Sequence, residues 1–109
     1  MSEPLDILAI MAHPDDAELL CGGSLAKASS NGQRTGILDL TQGEAGTAGN
    51  KGIRAKEAIS ASAILGLSIR RNAMLTDSEL ISDNQTKSVL VEIIRELKPR
   101  IVLTHSREA

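Results

Sequence analysis

The sequence contains no phenylalanine, tyrosine or tryptophan. A folded core must therefore be aliphatic, and sites that stack sugars or bases on aromatic rings are excluded for this chain. The single cysteine, Cys21, cannot form an internal disulfide. The N-terminus has no basic signal segment, which together with the lone cysteine favours a cytoplasmic protein. No apolar run is long enough to span a bilayer, so membrane insertion is not expected.

The charges of the chain are nearly balanced. Its 109 residues carry 12 Lys plus Arg against 14 Asp plus Glu, a formal net charge of -2. Without a block of like charge, nucleic acid is not an expected partner. The length and the 41% of hydrophobic residues are typical of one globular domain. We therefore expect residues 1–109 to belong to a single domain.

Short apolar runs alternate with helical periods along the chain. The pattern predicts strands at residues 5–12, 33–41, 68–75 and 100–104, and helices at residues 17–31, 53–65 and 86–97. This alternation favours a three-layer, Rossmann-like α/β fold with a parallel sheet of strand order 3-2-1-4. The first helix should bury one stripe, formed by Ala17, Leu20, Cys21, Ser24, Leu25 and Ala28. Such sheets bind ligands at the carboxyl ends of the strands, where the winding reverses, which directs attention to the residues after the first strand.

An imidazole and two carboxylates follow the first strand, at His13, Asp15 and Asp16. Histidine and aspartate suit a divalent transition metal, usually zinc, and a neighbouring aspartate can act as a base. Alternatively, one aspartate caps the following helix and His13 is a strand-end residue with a backbone partner. The residues alone leave both interpretations open, because a catalytic zinc usually takes three protein ligands.

Several motifs of the chain together resemble a known enzyme family. AHPDDAEL, CGGSLAK, a DLTQGEAGT loop and an R-x-x-E helix are similar to those of the zinc-dependent N-acetylglucosaminyl deacetylases, the PIG-L and LmbE-like family. The resemblance covers residues 5–104 and is strongest to bacillithiol-type deacetylases, which remove acetate from an N-acetylglucosaminyl malate. It implies a zinc-dependent hydrolytic deacetylase whose substrate is a small N-acetylglucosaminide.

The resemblance also implies roles for the residues after the first strand. His13 and Asp16 correspond to two zinc ligands of the family, and Asp15 to its general base. Such a base takes a proton from the water that attacks the amide carbonyl and later returns it to the leaving amine.

Three further residues match substrate-binding positions of the family: Glu44, Arg54 and Asp77. Each has a simpler alternative. Glu44 is an exposed loop acid, Arg54 pairs with Glu57 on an exposed helix face, and Asp77 is a turn aspartate. For Cys21 we favour a small buried residue over a metal ligand or nucleophile.

The chain departs from the family pattern at the third zinc ligand. In the family this is a histidine in an HPDH-like segment after the fourth strand, and this chain ends at Ala109 without one. The sequence thus resembles the first half of a deacetylase, so the isolated chain is expected to bind zinc weakly and to be inactive. His105 lies just beyond the fourth strand. It is either a substitute third zinc ligand or a near-terminal histidine without a role in metal binding.

A non-catalytic α/β module is the competing function. Only one helix is predicted on the second face of the sheet, which is too little to cover four strands, so part of that face should be exposed. The fourth strand lies at the edge of the sheet. Both features predict self-association or pairing with a complementary C-terminal fragment. A dinucleotide-binding module is disfavoured, because no G-x-G-x-x-G follows the first strand.

Overall fold

The computed structural model describes residues 3–43, 51–77, 80 and 83–106. The elements are β1 (Ile7–Met11), α1 (Asp16–Ser30), β2 (Thr35–Thr41), α2 (Lys51–Leu65), β3 (Ile69–Leu75), α3 (Asn84–Leu97) and β4 (Ile101–Thr104). The predicted succession of strands and helices is confirmed, and each boundary lies within two residues of its prediction.

The four strands form one parallel sheet in the order β3-β2-β1-β4, as predicted. Ile7 at the start of β1 is paired with Thr35 of β2 on one side and with Ile101 of β4 on the other. The chain leaves β1 toward β2 and returns later to β4, so the winding reverses beside β1. The carboxyl end of β1 is therefore the switch point at which such sheets bind ligands.

The core lies on both faces of the sheet and is aliphatic throughout. Because successive side chains of a strand point to opposite faces, β1 contributes to two clusters. One contains Leu5, Leu8, Ile10, Leu38, Ile93 and Leu97, and so joins β1 to α3. The other contains Ala9, Met11, Ala17, Leu25 and Ile37, and so joins β1 to α1. The three-layer prediction is confirmed.

The predicted buried stripe of α1 is wrong at Leu20, whose side chain is 64% exposed, and at Ser24, which is also exposed. Cys21 has non-helical backbone angles, φ -143° and ψ 17°, which break the helix after its first turn. The break changes the rotational phase, so residues on either side of it no longer share one face. Beyond it, Leu25 and Ala28 are buried as expected.

Apolar side chains remain exposed at the β4 edge and on all three described helices. Ile101 and Val102 of β4 are 52% and 44% exposed, and they point to opposite faces of the sheet. Leu19, Ile59 and Ile64 are also exposed. Among the described helices, none combines the length and the apolar character needed to cross a membrane.

Candidate active site

The segment after β1 makes a sharp turn before α1 begins. Asp15 has a φ of 84°, in the left-handed region that residues other than glycine seldom adopt. Its carbonyl oxygen accepts a hydrogen bond from the Leu19 amide at 3.0 Å, whereas its side chain makes no capping hydrogen bond. The Asp15 carboxylate is exposed at the rim of the sheet. The structure thus favours an Asp15 carboxylate that is accessible to a bound molecule over one that caps α1.

The Asp16 carboxylate turns back over the end of β1. Its Oδ2 accepts a hydrogen bond from the His13 amide at 3.1 Å. The same oxygen lies 3.4 Å from His13 Nδ1 and 3.5 Å from His105 Nε2. His105 reaches this point because β4 is paired with β1 and both strands end at the same rim. The turn and the strand pairing thus bring two imidazoles to one carboxylate.

Asp77, just beyond the end of β3, completes this group. Its Oδ1 lies 2.7 Å from His13 Nε2, and its side chain is only 8% exposed. An ionised carboxylate can only accept a hydrogen bond, so a neutral His13 that donates from Nε2 to Asp77 has its Nδ1 lone pair facing Asp16. Carboxylates commonly orient metal-binding histidines in this way. Sequence reasoning selected Asp77 for contact with substrate and missed its contact with His13.

The donor atoms fit two positions of a zinc site. Two ligands bonded to zinc at about 2.0–2.1 Å in a tetrahedral arrangement lie about 3.3–3.4 Å apart, close to the 3.4 Å between His13 Nδ1 and Asp16 Oδ2. His105 Nε2 instead accepts the Ala12 amide hydrogen at 3.3 Å, so its lone pair is engaged. Within the described ranges, no three His, Cys, Asp or Glu side chains are grouped so that they could hold a metal ion.

A cavity of about 320 Å³ opens beside this segment, between α2, the end of β2 and the first half of β3. Its lining includes Pro14, Gln42, Arg54, Ala58 and Ser62. The Arg54 guanidinium donates a hydrogen bond through Nη1 to the Gly43 carbonyl, which holds it at the mouth of the cavity. Arg54 is thus placed where it could contact a bound molecule, whereas Glu44 lies outside the described residues.

Sequence reasoning missed a largely buried ion-pair network next to the turn. Arg70 of β3 is paired with Ile37 in the sheet, so it shares a face with Asp39, two residues further along β2. Its Nε and Nη2 donate to the Asp39 carboxylate at 2.8 and 3.0 Å, and Nη1 and Nη2 donate to Glu18 at 3.1 and 3.3 Å. A signal was available, because an aspartate inside an otherwise apolar strand needs a buried partner.

Burial sets the protonation behaviour of two groups here. It raises the pKa of the Asp39 carboxyl, and the hydrogen bonds from Arg70 oppose that rise. Burial, and then the negative charge of Glu18, raise the pKa of the Cys21 thiol. A raised pKa disfavours the thiolate that metal binding or nucleophilic attack requires, which supports the interpretation of Cys21 as a packing residue.

Known proteins share both the sequence and the fold of this chain. The family PIG-L, described as GlcNAc-PI de-N-acetylase, matches residues 8–109. The 1D-myo-inositol 2-acetamido-2-deoxy-alpha-D-glucopyranoside deacetylase of Mycobacterium leprae is 29% identical over 139 aligned positions, which cover 96% of this chain and 44% of the relative.

Two solved structures resemble the fold over most of this chain. A conserved protein from Thermus thermophilus is 47% identical with a TM-score of 0.86, covering 90% of this chain and 44% of that one. The N,N'-diacetylchitobiose deacetylase of Pyrococcus horikoshii is 28% identical with a TM-score of 0.81, covering 88% and 39%. The chain thus spans less than half the length of each of these three relatives.

Proposed function

Because this chain belongs to the PIG-L family of de-N-acetylases, we propose that it carries the metal-binding and proton-transfer residues of a zinc-dependent deacetylase. The observation that carries the proposal is the arrangement at the end of β1. His13 Nδ1 and Asp16 Oδ2 lie 3.4 Å apart there, and the adjacent Asp15 carboxylate is exposed without capping α1. The chain spans 44% of the length of the Mycobacterium leprae and Thermus thermophilus relatives. The complete reaction is therefore assigned to a protein that also has the rest of the fold.

The proposed reaction is hydrolysis of an N-acetyl amide. His13 and Asp16 would hold zinc, which polarises the amide carbonyl when it is bound. Asp15 takes a proton from the attacking water as the new carbon–oxygen bond forms. It returns that proton to the nitrogen as the carbon–nitrogen bond breaks, which releases acetate and a free amine. Asp77 keeps His13 in the tautomer that leaves Nδ1 available.

The proposed substrate is an N-acetylglucosaminyl compound with a polar or anionic aglycone, similar to N-acetylglucosaminyl malate. Arg54 supports this proposal, since its guanidinium lies at the cavity beside Pro14 and can donate paired hydrogen bonds to a carboxylate. Glu44 and Asp77 are the other proposed substrate contacts. A cytoplasmic location stays a prediction from the sequence.

The competing proposal is that the chain by itself is a non-catalytic module. In support, the described residues supply a pair of aligned zinc donors rather than three, so weak zinc binding and inactivity are expected of the chain alone. The exposed Ile101 and Val102 on the edge strand β4 favour self-association or pairing with a complementary C-terminal fragment. Light scattering during size-exclusion chromatography tests this proposal, and a monomer at tens of micromolar would contradict it.

Two neighbouring substitutions separate the proposed roles. In a protein with the complete fold, Asp15→Asn is expected to lower kcat for an N-acetylglucosaminide by about 10²–10⁴ while zinc content is retained. Asp16→Asn is expected to lower the zinc content itself, because Asp16 is a proposed zinc ligand. Release of acetate and zinc content are measured on the same preparations.

The matched control is Asp83→Asn at the exposed N-cap of α3, where asparagine caps as well as aspartate. It should leave both turnover and zinc content unchanged. Loss of zinc from the Asp15→Asn protein, or near-normal turnover by it, contradicts the assignment.

A further inference from the structure

The first turn of α1 positions the residues of the proposed site but has little apolar anchoring. Of its hydrophobic side chains, Ala17 is buried, whereas Leu19 and Leu20 are 83% and 64% exposed. The break at Cys21 separates this turn from the rest of the helix. The packing of the longer helical segment therefore does little to fix the position of the turn that contains Asp16.

The residue before this turn is also in a strained conformation. Asp15 has a φ of 84°, and such backbone states persist where surrounding contacts hold them in place. Its side chain makes no capping hydrogen bond that would contribute. The Asp16 carboxylate ties the turn to the His13 amide at the end of β1, and a further contact is needed to tie the turn to the neighbouring strands of the sheet.

Arg70 provides that contact. Its guanidinium joins Glu18 in the first turn of α1 to Asp39 near the end of β2, with four hydrogen bonds of 2.8 to 3.3 Å. Arg70, Asp39 and Glu18 are 10%, 3% and 19% exposed, so water screens these interactions little. A planar guanidinium can serve two carboxylates at fixed angles, which a lysine ammonium cannot do equally well.

We propose that Arg70 is a positioning residue of the active site. By tying Glu18 to Asp39, it fixes the first turn of α1 and so holds Asp15 and Asp16 at the end of β1. This inference rests on the proposed function, because it gives Arg70 a role toward the metal and proton-transfer residues without direct contact with them.

Electrostatics and positioning predict opposite effects when Arg70 is removed. If Arg70 acted only through its charge, Arg70→Met would remove a positive charge near the site and tighten the binding of a divalent cation. If it positions the turn, the same substitution weakens binding. Changes to groups that orient metal ligands typically cost 10–100-fold in affinity.

The test is a Co²⁺ titration of the metal-free parent, a protein with the complete fold, followed by visible absorption, which also reports ligand geometry. Arg70→Met is expected to raise the apparent Kd for Co²⁺ about 10-fold or more and to weaken the absorption band. Arg70→Lys should fall between Arg70→Met and the parent, since it keeps the charge but loses the fork of donors.

Arg71→Met is the matched control. Arg71 is the next residue of β3 and its side chain lies on the opposite face of the sheet, where it donates to Glu96 of α3 at 2.7 Å. This variant should bind Co²⁺ like the parent. Circular dichroism establishes which variants are folded. If Arg70→Met does not fold, the Co²⁺ affinity of Arg70→Lys tests the positioning role instead.

Amide hydrogen exchange of Leu19, whose amide donates to the Asp15 carbonyl at 3.0 Å, compared with that of β1, gives a readout independent of metal. In folded Arg70 variants, exchange should speed up in the first turn of α1 but not in β1. If the parent binds no Co²⁺, the proposed metal site fails and the exchange measurement alone decides the positioning role. Parent-like exchange, or Co²⁺ binding that is unchanged or tighter in folded Arg70 variants, overturns the inference.

Discussion

Leu8→Ala tests whether α3 covers the face of β1 from which Leu8 projects. Leu8, the second residue of β1, is fully buried and belongs to the cluster that contains Leu38, Ile93 and Leu97. Truncation removes three carbon atoms, worth about 0.8 kcal/mol each, and leaves a cavity that adds to the loss. Because the surrounding side chains belong to separate elements, they cannot all move inward. We expect the free energy of unfolding to fall by about 3 to 4 kcal/mol.

That loss is large relative to the roughly 5 to 15 kcal/mol that stabilise a typical domain. Urea-induced unfolding at low protein concentration, followed by circular dichroism, measures it. Leu19→Ala is the control, since its side chain is 83% exposed and the change should stay within about 0.5 kcal/mol. Equal losses in the two variants, or a loss below about 1.5 kcal/mol for Leu8→Ala, would refute the burial of this face of β1 beneath α3.

Three further outcomes follow from individual contacts. Gly36→Ala should lower the thermal unfolding midpoint, because the added Cβ would lie 2.8 Å from Ile69 Cγ2 and 3.2 Å from the Ile69 carbonyl oxygen. Hydrogen bonds from Thr86 lower the pKa of Asp83, so the stability that Asp83 contributes is present above the ordinary aspartate pKa and lost as pH falls through the lowered value. Asp83→Ala should therefore flatten the acid side of the stability profile, as measured by urea unfolding at several pH values. Val102→Lys on the exposed edge strand should shift any self-associated species toward monomer, as measured by light scattering.

The layers and the strand order could be predicted because they depend on local patterns. The apolar run that becomes β1 requires cover on both faces, and the alternation of strands with helices allows few topologies. The position of His13, Asp15 and Asp16 at the switch point follows from the same reasoning. These features need only the period of each segment and the handedness of the connections.

Contacts that depend on three-dimensional register could not be predicted in the same way. The link between Arg70 and Asp39 requires the pairing of Arg70 with Ile37, which one sequence does not reveal. The contact between Asp77 and His13 joins residues 64 positions apart. The exposure of Leu20 depends on the break at Cys21, and the intact helical period of the sequence conceals that break.

The location of bound zinc is the most direct test of the proposed active site. An anomalous difference map, collected at the zinc absorption edge from zinc-loaded crystals of a protein with the complete fold, measures it. We expect a peak at the end of β1, within about 2.0–2.2 Å of His13 Nδ1 and an Asp16 carboxylate oxygen. A peak elsewhere, or an active deacetylase with no zinc bound to His13 and Asp16, would contradict the proposal.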